Sequence, residues 1–455
     1  MNKIELLDIR RNKVLSKSGE IRKKISLVTD ENSFVELMGY SFSKNDFYDE
    51  EVVGEGVVTG YATIDGSPVY IIAQDVSALY GGVSLSNCKK ISSCQKKAEE
   101  ACIPVIYLLD SYGVQVGEGV NVLEGIAEVL SNSANLKGVA PQISVVLGKL
   151  YGSLSVLAAN SDVCYFVKGA EVCYTSPLVI SASKKNASIE KVAGKENSAF
   201  SNLVSDEVED VSELKGKIAE FLSVLNCEKE SSDDFNRTSE DLNENVTVKG
   251  LVSAVFDDGK FSEISSSFAP DVKVGLGSVG NCSVASVIFD GGENGVELGV
   301  NEIKKVKDFA SFASDNALPL VVFVNTLGLK ADYETNSSTA LKEICELIKS
   351  LKNCRRISVM YGKAIGLGYT LFASKSLGTE YSYAFATAKI ALFDGDASSV
   401  AFGKVSEEKL GEFKKTYSEE NADPINAAKN GYVDNIIEPA FVRPYLISAL
   451  EMMNF

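Results

Sequence analysis

Four glycine-containing turns are the residues of this sequence most able to support chemistry. They are DSYGVQVGEG (110–119), GKLYGSLS (148–155), NTLGLK (325–330) and GKAIGLGYT (362–370), and each follows an apolar run typical of a buried strand. A glycine between a strand and a helix can expose backbone N–H groups at the positive end of the helix dipole. Two such donors directed at one point form an oxyanion hole, which stabilises a carbonyl oxygen as it gains negative charge.

The glycines of these turns also have a purely conformational interpretation. Gly113, Gly152, Gly328 and Gly366 could simply permit tight turns and close helix packing. Their recurrence at matching positions in two halves of the chain favours a pair of related anion or enolate sites.

Other side chains near the turns are weaker candidates. Asp110, Glu118 and Glu124 could form an acidic site, although carboxylates that follow strands more often cap helices. Tyr112 and Tyr151 could line a pocket or pack in the core.

The composition excludes several classes of site. The chain has no histidine, so a Ser-His or Cys-His triad and every histidine metal site are excluded. No pair of the nine cysteines forms a C-x-x-C motif, and we predict no metal site. A formal net charge of −17 argues against nucleic acid as a partner. Residues 1–13 lack the apolar core of a secretory signal, so we expect a cytoplasmic protein.

The sequence repeats itself at a nearly constant offset. Residues 89–113 align without a gap with residues 304–328, and residues 143–152 align with residues 357–366. Two unrelated β-α-β units could look alike, but the shared register over several segments favours a tandem duplication. Each half alternates short apolar runs with segments of helical periodicity, which predicts an α/β fold with buried, largely parallel strands.

A segment rich in acidic and polar residues separates the two halves. Residues 227–247 read CEKESSDDFNRTSEDLNENVT, a composition typical of an exposed connection. We therefore expect an N-terminal domain over residues 1–226, an acidic linker over 227–247 and a C-terminal domain over 248–455.

Several segments, in order along nearly the whole chain, resemble one enzyme family. The chain is similar to the carboxyltransferase subunits of biotin-dependent acyl-CoA carboxylases of the propionyl-CoA carboxylase β type, and of the related decarboxylases. The matching stretches are SFVEL (33–37), GEGVVTGYATIDGSPVYIIAQD (54–75), IPVIYLLDS (103–111), GVAPQISVVLG (138–148), ASKSLGTEYSYAFATAKIAL (373–392) and DPINAAKNGYVDNIIEP (423–439).

This resemblance implies two crotonase-like halves, each a spiral of ββα units. The first half would bind acyl-CoA and the second would bind biotin, with each active site shared between two subunits. The implied assembly is a homo-oligomer built from dimers, and a ring of six is common in the family. No Met-Lys-Met attachment sequence is present, so biotin would arrive on a separate carrier protein. A biotin carboxylase or a membrane decarboxylase subunit would complete the system.

The resemblance also assigns roles to residues of the turns. One hole would hold the thioester enolate and the other the biotin oxyanion. The backbone donors, carried over by position, are Gly152 and Ser153 in the first half and Leu367 and Gly368 in the second. The substrate-binding residues that we predict around these donors are Tyr112, Gly113, Tyr151, Gly366, Tyr369 and Thr370. The acyl group would be of the acetyl or propionyl type, or its malonyl or methylmalonyl counterpart.

The chain departs from the family pattern at the same turns. Family members usually read DSGGAR where this chain has DSYGVQ, and carry Gly-Gly-Ala runs where it has Gly152-Ser153-Leu154 and Gly366-Leu367-Gly368. Thr370 stands where an acidic residue often helps to choose the acyl group. These departures leave two alternatives: a non-catalytic scaffold subunit of a carboxylase complex, and a biotin-independent crotonase-type thioester hydratase or hydrolase with a carboxylate base.

Overall fold

The chain forms two compact α/β units. The computed structural model divides it into Met1–Leu222 and Ser223–Phe455. The structure describes residues 2–17, 19–45, 50–182, 192, 202–225, 231–394 and 409–453.

The first unit is built on one large sheet with helices packed against it. Its strands are β1 (Val35–Leu37), β2 (Phe42–Asn45), β3 (Glu50–Val53), β4 (Val57–Ile64), β5 (Ser67–Gln74), β6 (Val105–Ser111), β7 (Gln142–Tyr151), β8 (Val163–Val167), β9 (Glu171–Cys173) and β10 (Asp206–Val208). Its helices are α1 (Lys3–Lys17), α2 (Gly19–Val28), α3 (Leu85–Ala101), α4 (Val120–Leu136), α5 (Leu154–Asn160), α6 (Pro177–Ala182) and α7 (Leu214–Leu225), the last of which contains the division between the units.

The second unit repeats this design. Its strands are β11 (Phe261–Ile264), β12 (Val272–Val279), β13 (Cys282–Phe289), β14 (Val296–Leu298), β15 (Leu320–Leu329), β16 (Arg356–Ile365), β17 (Thr379–Phe385), β18 (Lys389–Ala391) and β19 (Asn435–Ile437). Its helices are α8 (Asp241–Glu244), α9 (Val248–Val255), α10 (Val300–Asp315), α11 (Ser338–Asn353), α12 (Leu367–Phe372), α13 (Leu410–Thr416), α14 (Pro424–Lys429) and α15 (Val442–Met452).

The two large sheets have the same strand order. The first runs β1-β4-β5-β6-β7-β8-β10 with β9 beside β7, and the second runs β11-β12-β13-β15-β16-β17-β19 with β18 beside β16. In both, the strands from the third onward pair in parallel, whereas the first three form an antiparallel meander. The predicted duplication and the largely parallel character of the sheet are confirmed.

Short turn sequences fix the antiparallel start of each sheet. Asp65-Gly66 joins β4 to β5, and Gly280-Asn281 joins β12 to β13; all four residues have positive φ. Two-residue turns of this kind match the twist of antiparallel strands, and they favour glycine, aspartate and asparagine. The helices that follow begin at residues that can cap them: Ser84 accepts a hydrogen bond from the N–H of Asn87 at the start of α3.

A buried lysine ties the main helix of each unit to its backbone. Lys90 of α3 donates to the carbonyl of Val57 at 2.6 Å, and Lys305 of α10 donates to the carbonyl of Phe268 at 2.7 Å. The two lysines lie at matching positions of the repeat, and burial lowers the pKa of each to about 8. The duplication is therefore visible in individual side chains as well as in topology.

The acidic segment is mostly exposed along its described residues, but some of its groups are bound by the second unit. In its described part, residues 231–247, Leu242 is buried and Arg237 pairs with Asp233 at 2.8 Å. Arg443 of α15 donates to the carbonyl of Asp234 and to the Asp257 carboxylate. The segment packs on the second unit because a fully buried arginine and an apolar side chain hold it there.

The helices of the described ranges are those of a packed α/β protein. Among them, none combines the length and the apolar character that crossing a membrane requires. The buried core of each unit lies between the sheet and its helices.

Candidate active site

The candidate turns lie where two adjacent parallel strands of each sheet end. In the first unit, β6 leads into Gly113 (φ 117°) and β7 leads into Gly152 (φ 82°), which precedes α5. A Cβ atom built on Gly152 would lie 3.4 Å from the Cα of Gly113, so the two turns touch. In the second unit Gly328 and Gly366 have φ values of 87° and 53°. Positive φ explains why glycine stands at all four positions.

One polar residue sets the register of each pair of turns. The Lys149 N–H donates to Asp110 Oδ1 at 3.2 Å, and the Lys363 N–H donates to Asn325 Oδ1 at 2.9 Å. The ladder between β6 and β7, and that between β15 and β16, shifts register at this point. The side chains of Asp110 and Asn325 thus replace a lost ladder bond and direct the strand ends.

The backbone N–H of Gly152 is not free to act as an oxyanion donor. It donates to the carbonyl of Cys173 in β9 at 3.0 Å. The matching Gly366 N–H donates to the carbonyl of Ala391 in β18 at 2.9 Å. The expectation that Gly152 supplies a donor is therefore corrected, because this N–H completes the pairing of the short strand beside β7.

The N–H groups that follow each glycine have no such partner. In the part of the chain that the structure describes, no acceptor lies within hydrogen-bonding geometry of the N–H groups of Ser153, Leu154, Leu367 or Gly368. Ser153 is the N-cap of α5 and Leu154 is its first residue, while Leu367 and Gly368 are the first two residues of α12. These are the unpaired donors that a helix N-terminus supplies, and they occupy equivalent positions in the repeat.

The offset of 214 residues between the two halves could have indicated that Gly152 is not one of the donors. Gly366 corresponds to Gly152, so the pair Leu367 and Gly368 corresponds to Ser153 and Leu154. Leu154 is therefore a candidate donor that the resemblance to the family did not indicate.

In the second unit a missing side chain leaves the donors open. A Cβ atom on Gly328 would lie 3.7 Å from the nitrogens of both Leu367 and Gly368, and 3.0 Å from the carbonyl oxygen of Ile365. The N–H of Gly328 is itself bound to Thr326 Oγ1 at 3.1 Å. Glycine at position 328 therefore leaves the space beside the two N–H groups open.

Three tyrosines surround the turns of the first unit. The ring of Tyr112 packs edge-on against Tyr80 and Tyr151, with centroid distances of 5.9 and 5.7 Å. Tyr151 is buried, and its hydroxyl donates to Glu171 Oε2 at 2.5 Å. Burial and the neighbouring Glu171 raise the pKa of Tyr151 well above its ordinary value. Tyr112 and Tyr80 remain largely exposed.

The carboxylates near the first site have separate structural partners. Glu118 accepts from the N–H of Leu85 at 2.6 Å and so caps α3, as the alternative interpretation predicted. Asp110 holds the Lys149 N–H, and burial raises its pKa. Glu124 lies exposed on α4. The described residues show no hydrogen bond that joins these three side chains into an acidic site.

The remaining predicted site residues lie on α12. Thr370 is exposed, and its hydroxyl donates to the carbonyl of Gly366 at 3.3 Å. Tyr369 is partly buried, which raises its pKa. Both residues therefore follow the N–H pair within the same short helix.

A cavity of about 450 Å³ opens beside the turn of the second unit. Its lining includes Lys363, Ile365 and Lys389, with aromatic rings from Tyr361, Phe393 and Tyr417. Lys389 lies opposite Lys363 in the pairing of β18 with β16, whereas Glu171 lies opposite Lys149 in the first unit. Sequence reasoning missed Lys389 because only the strand register shows this neighbour.

The geometry defines a class of protein before any relative is considered. Two equivalent α/β units each present unpaired N–H groups at a strand-to-helix turn, as enzymes do that stabilise oxyanions derived from carbonyl compounds. The family model of the carboxyl transferase domain matches residues 18–454. The chain belongs to this family.

Relatives with a curated name extend over nearly the whole chain. The methylmalonyl-CoA decarboxylase subunit alpha of Veillonella parvula is 29% identical, over 99% of this chain and 96% of the relative. The propionyl-CoA carboxylase beta chain of Roseobacter denitrificans is 28% identical, over 95% and 90% of the two chains. The predicted enzyme class, the carboxyltransferase of a biotin-dependent acyl-CoA carboxylase or decarboxylase, is confirmed.

A solved structure supports the fold in the same way. The transcarboxylase 12S structure, a hexamer assembly with methylmalonyl-CoA and methylmalonic acid bound, superposes with a TM-score of 0.90. It is 24% identical and covers 99% of this chain and 95% of its own. The predicted tandem crotonase-like fold is confirmed.

Proposed function

We propose that this chain moves a carboxyl group between carboxybiotin on a separate carrier protein and a short acyl-CoA. The substrate is of the propionyl or methylmalonyl type, or of the acetyl or malonyl type. The names of the relatives and the methylmalonyl-CoA bound to transcarboxylase 12S support this substrate class. The observation that carries the proposal is the repeated pair of unpaired N–H groups, one pair in each unit.

The N–H groups of Ser153 and Leu154 hold the thioester oxygen of the acyl-CoA. A thioester oxygen becomes negative when the α carbon loses a proton or a carboxyl group, and two fixed donors stabilise that charge. Their position at the N-terminus of α5 adds the field of the helix dipole.

The N–H groups of Leu367 and Gly368 hold the ureido oxygen of biotin. The space that Gly328 leaves beside them admits a ligand oxygen, and the adjoining cavity has apolar walls from Ile365 and Phe393. When bound, carboxybiotin would supply the carboxyl group in one direction of the reaction, and biotin would accept it in the other. The residues of this chain fit that role because they offer donors without a competing acceptor.

The working form is a homo-oligomer in the cytoplasm that is built from dimers, such as a hexamer. Its partners are a biotin carboxyl carrier protein and either a biotin carboxylase or a membrane decarboxylase subunit. The chain lacks a Met-Lys-Met biotin-attachment sequence, which supports a separate carrier.

The test is release of CO2 from malonyl-CoA and methylmalonyl-CoA, each with and without free biotin as the acceptor. We expect turnover that biotin accelerates. Turnover that biotin does not change would favour a biotin-independent thioester enzyme. Complete inactivity of the folded oligomer, also with its own carrier protein, would overturn the proposal in favour of a scaffold subunit.

A further inference from the structure

We propose that Tyr112, held against Tyr151, makes this enzyme select acyl groups without a substituent on the α carbon. The preferred substrates are then acetyl-CoA and malonyl-CoA, and propionyl-CoA and methylmalonyl-CoA are disfavoured. This inference rests on the proposed function and names the substrate class of its first site.

The position of Tyr112 places its ring beside the proposed thioester site. Tyr112 directly precedes Gly113, whose Cα lies 3.4 Å from the position of a Cβ on Gly152. Gly152 in turn directly precedes the N–H groups of Ser153 and Leu154. An acyl group bound to these donors therefore lies next to the turn that carries the Tyr112 ring.

Tyr112 belongs to a cluster with Tyr80 and Tyr151, which a buried ring holds on one side. Tyr151 is only 4% exposed, and its hydroxyl is fixed by Glu171, which also pairs with Lys149. The N–H of Tyr112 donates to the carbonyl of Tyr80 at 3.1 Å, and its ring meets that of Tyr151 at an interplanar angle of 83°. Displacement of the Tyr112 ring by an additional methyl group would therefore disrupt its edge-on packing against Tyr151.

Tyr112 nevertheless keeps an open surface. Its exposed fraction is 48%, although it packs against a buried ring on one side. An exposed aromatic surface beside an unpaired pair of donors is available for contact with a ligand.

The second unit lacks this cluster of tyrosines. Leu327 and Ile365 occupy the positions that match Tyr112 and Tyr151, and Gly295 matches Tyr80. The aromatic side chains are therefore a property of the acyl-CoA half, and the shared fold does not require them.

Rejection of one methyl group by a packed pocket typically amounts to about 10–200-fold in kcat/KM. We expect the full-length protein to prefer malonyl-CoA to methylmalonyl-CoA by at least about tenfold in biotin-dependent decarboxylation. Tyr112→Ala should reduce this ratio to about threefold or less, through a gain on methylmalonyl-CoA. Tyr112→Phe retains the ring and should retain the preference. Leu327→Ala, the matched change in the second unit, should leave the ratio as in the unchanged protein.

A second test measures the binding of acetyl-CoA and propionyl-CoA to the unchanged protein by calorimetry. This test depends neither on turnover nor on the folding of variants. Tighter binding of acetyl-CoA supports the proposed selection. Equal affinities, a preference for the propionyl or methylmalonyl form, or an equal loss of both activities in Tyr112→Ala would overturn it. Selective binding without any turnover would support the selection and overturn the proposed enzymatic function.

Discussion

The two units share their backbone construction and differ in the side chains around it. Each has a buried lysine bound to a backbone carbonyl, a polar side chain at the register shift and two unpaired N–H groups after a glycine. Three tyrosines surround the first turn, whereas Leu327 and Ile365 occupy the matching positions at the second, beside a cavity. The difference indicates that the duplication preserved the backbone construction of the turns, while the side chains around each turn diverged.

A charge change accompanies this divergence. Across the pairing of β7 with β9, Lys149 meets Glu171, whereas across β16 and β18, Lys363 meets Lys389. Lys149 forms an ion pair with Glu171 and Lys363 forms one with Asp394, while Lys389 donates to the carbonyl of Ser418 at 2.9 Å. The short strand beside each turn therefore presents an acidic residue to the matched lysine in the first unit and a basic residue in the second.

The largest effect is expected from filling the space beside the second donor pair. Gly328→Ala places a methyl group 3.7 Å from both nitrogens, so we expect a loss of at least about 100-fold in biotin-dependent transfer. The affinity for acyl-CoA should stay within about threefold, because the first unit is unchanged. Assays of transfer and calorimetry with acetyl-CoA check the two expectations.

Gly378→Ala is the matched control for backbone strain. Gly378 has a φ of 98° and no heavy atom within 4 Å of an added Cβ. The control variant should lose stability without a comparable loss of transfer. Equal losses of transfer in both variants would show that strain, and not occlusion of the N–H groups, explains Gly328→Ala.

An intermediate effect is expected from the matched lysines. Their pKa values of about 8 lie below the ordinary value, so above pH 8 the unfolded state keeps protons that the folded state has lost. The free energy of unfolding should rise with pH relative to Lys90→Met and Lys305→Met, by at most about 1.4 kcal/mol per pH unit for each lysine.

Urea denaturation at pH 8 and pH 10 measures this difference. A rise in the free energy of unfolding relative to both variants would confirm that the buried lysine has the same effect in the two units. A rise against one variant alone would show that the units differ in their interior as well as in their sites.

The smallest effect is expected at the register shift. Asp110→Asn keeps the oxygen that accepts from the Lys149 N–H, and asparagine already performs this task at position 325. We expect activity within about twofold and little change in Tm. A large loss of activity with unchanged Tm would contradict the structural role and indicate that the carboxylate takes part in proton transfer.

The sequence alone predicted the fold well because the repeat is so regular. Ungapped alignment of residues 89–113 with residues 304–328 revealed the duplication, and glycine after each strand indicated the positive φ angles that the structure shows. These features depend on local chemistry, which a single sequence expresses directly.

What the sequence did not reveal depends on contacts between distant residues. Nothing in the composition of Glu171–Cys173 indicates that this three-residue strand takes the N–H of Gly152. The contact between the acidic segment and Arg443 was not predicted, because this arginine lies about 200 residues further along the chain. The resemblance to the family likewise assigned a backbone N–H donor to Gly152 and did not indicate the N–H of Leu154.

The most direct test of the account removes one donor from each unit without changing the backbone. Ser153 has a φ of −65°, which is the value that proline requires, and Leu367 is the first residue of α12, where proline is well tolerated. The measurement is carboxyl transfer by Ser153→Pro and Leu367→Pro, each compared with the alanine variant at the same position. We predict that each proline variant falls about 10²–10³-fold below its alanine partner. Folded proline variants as active as their alanine partners would contradict the claim that these N–H groups stabilise the reaction.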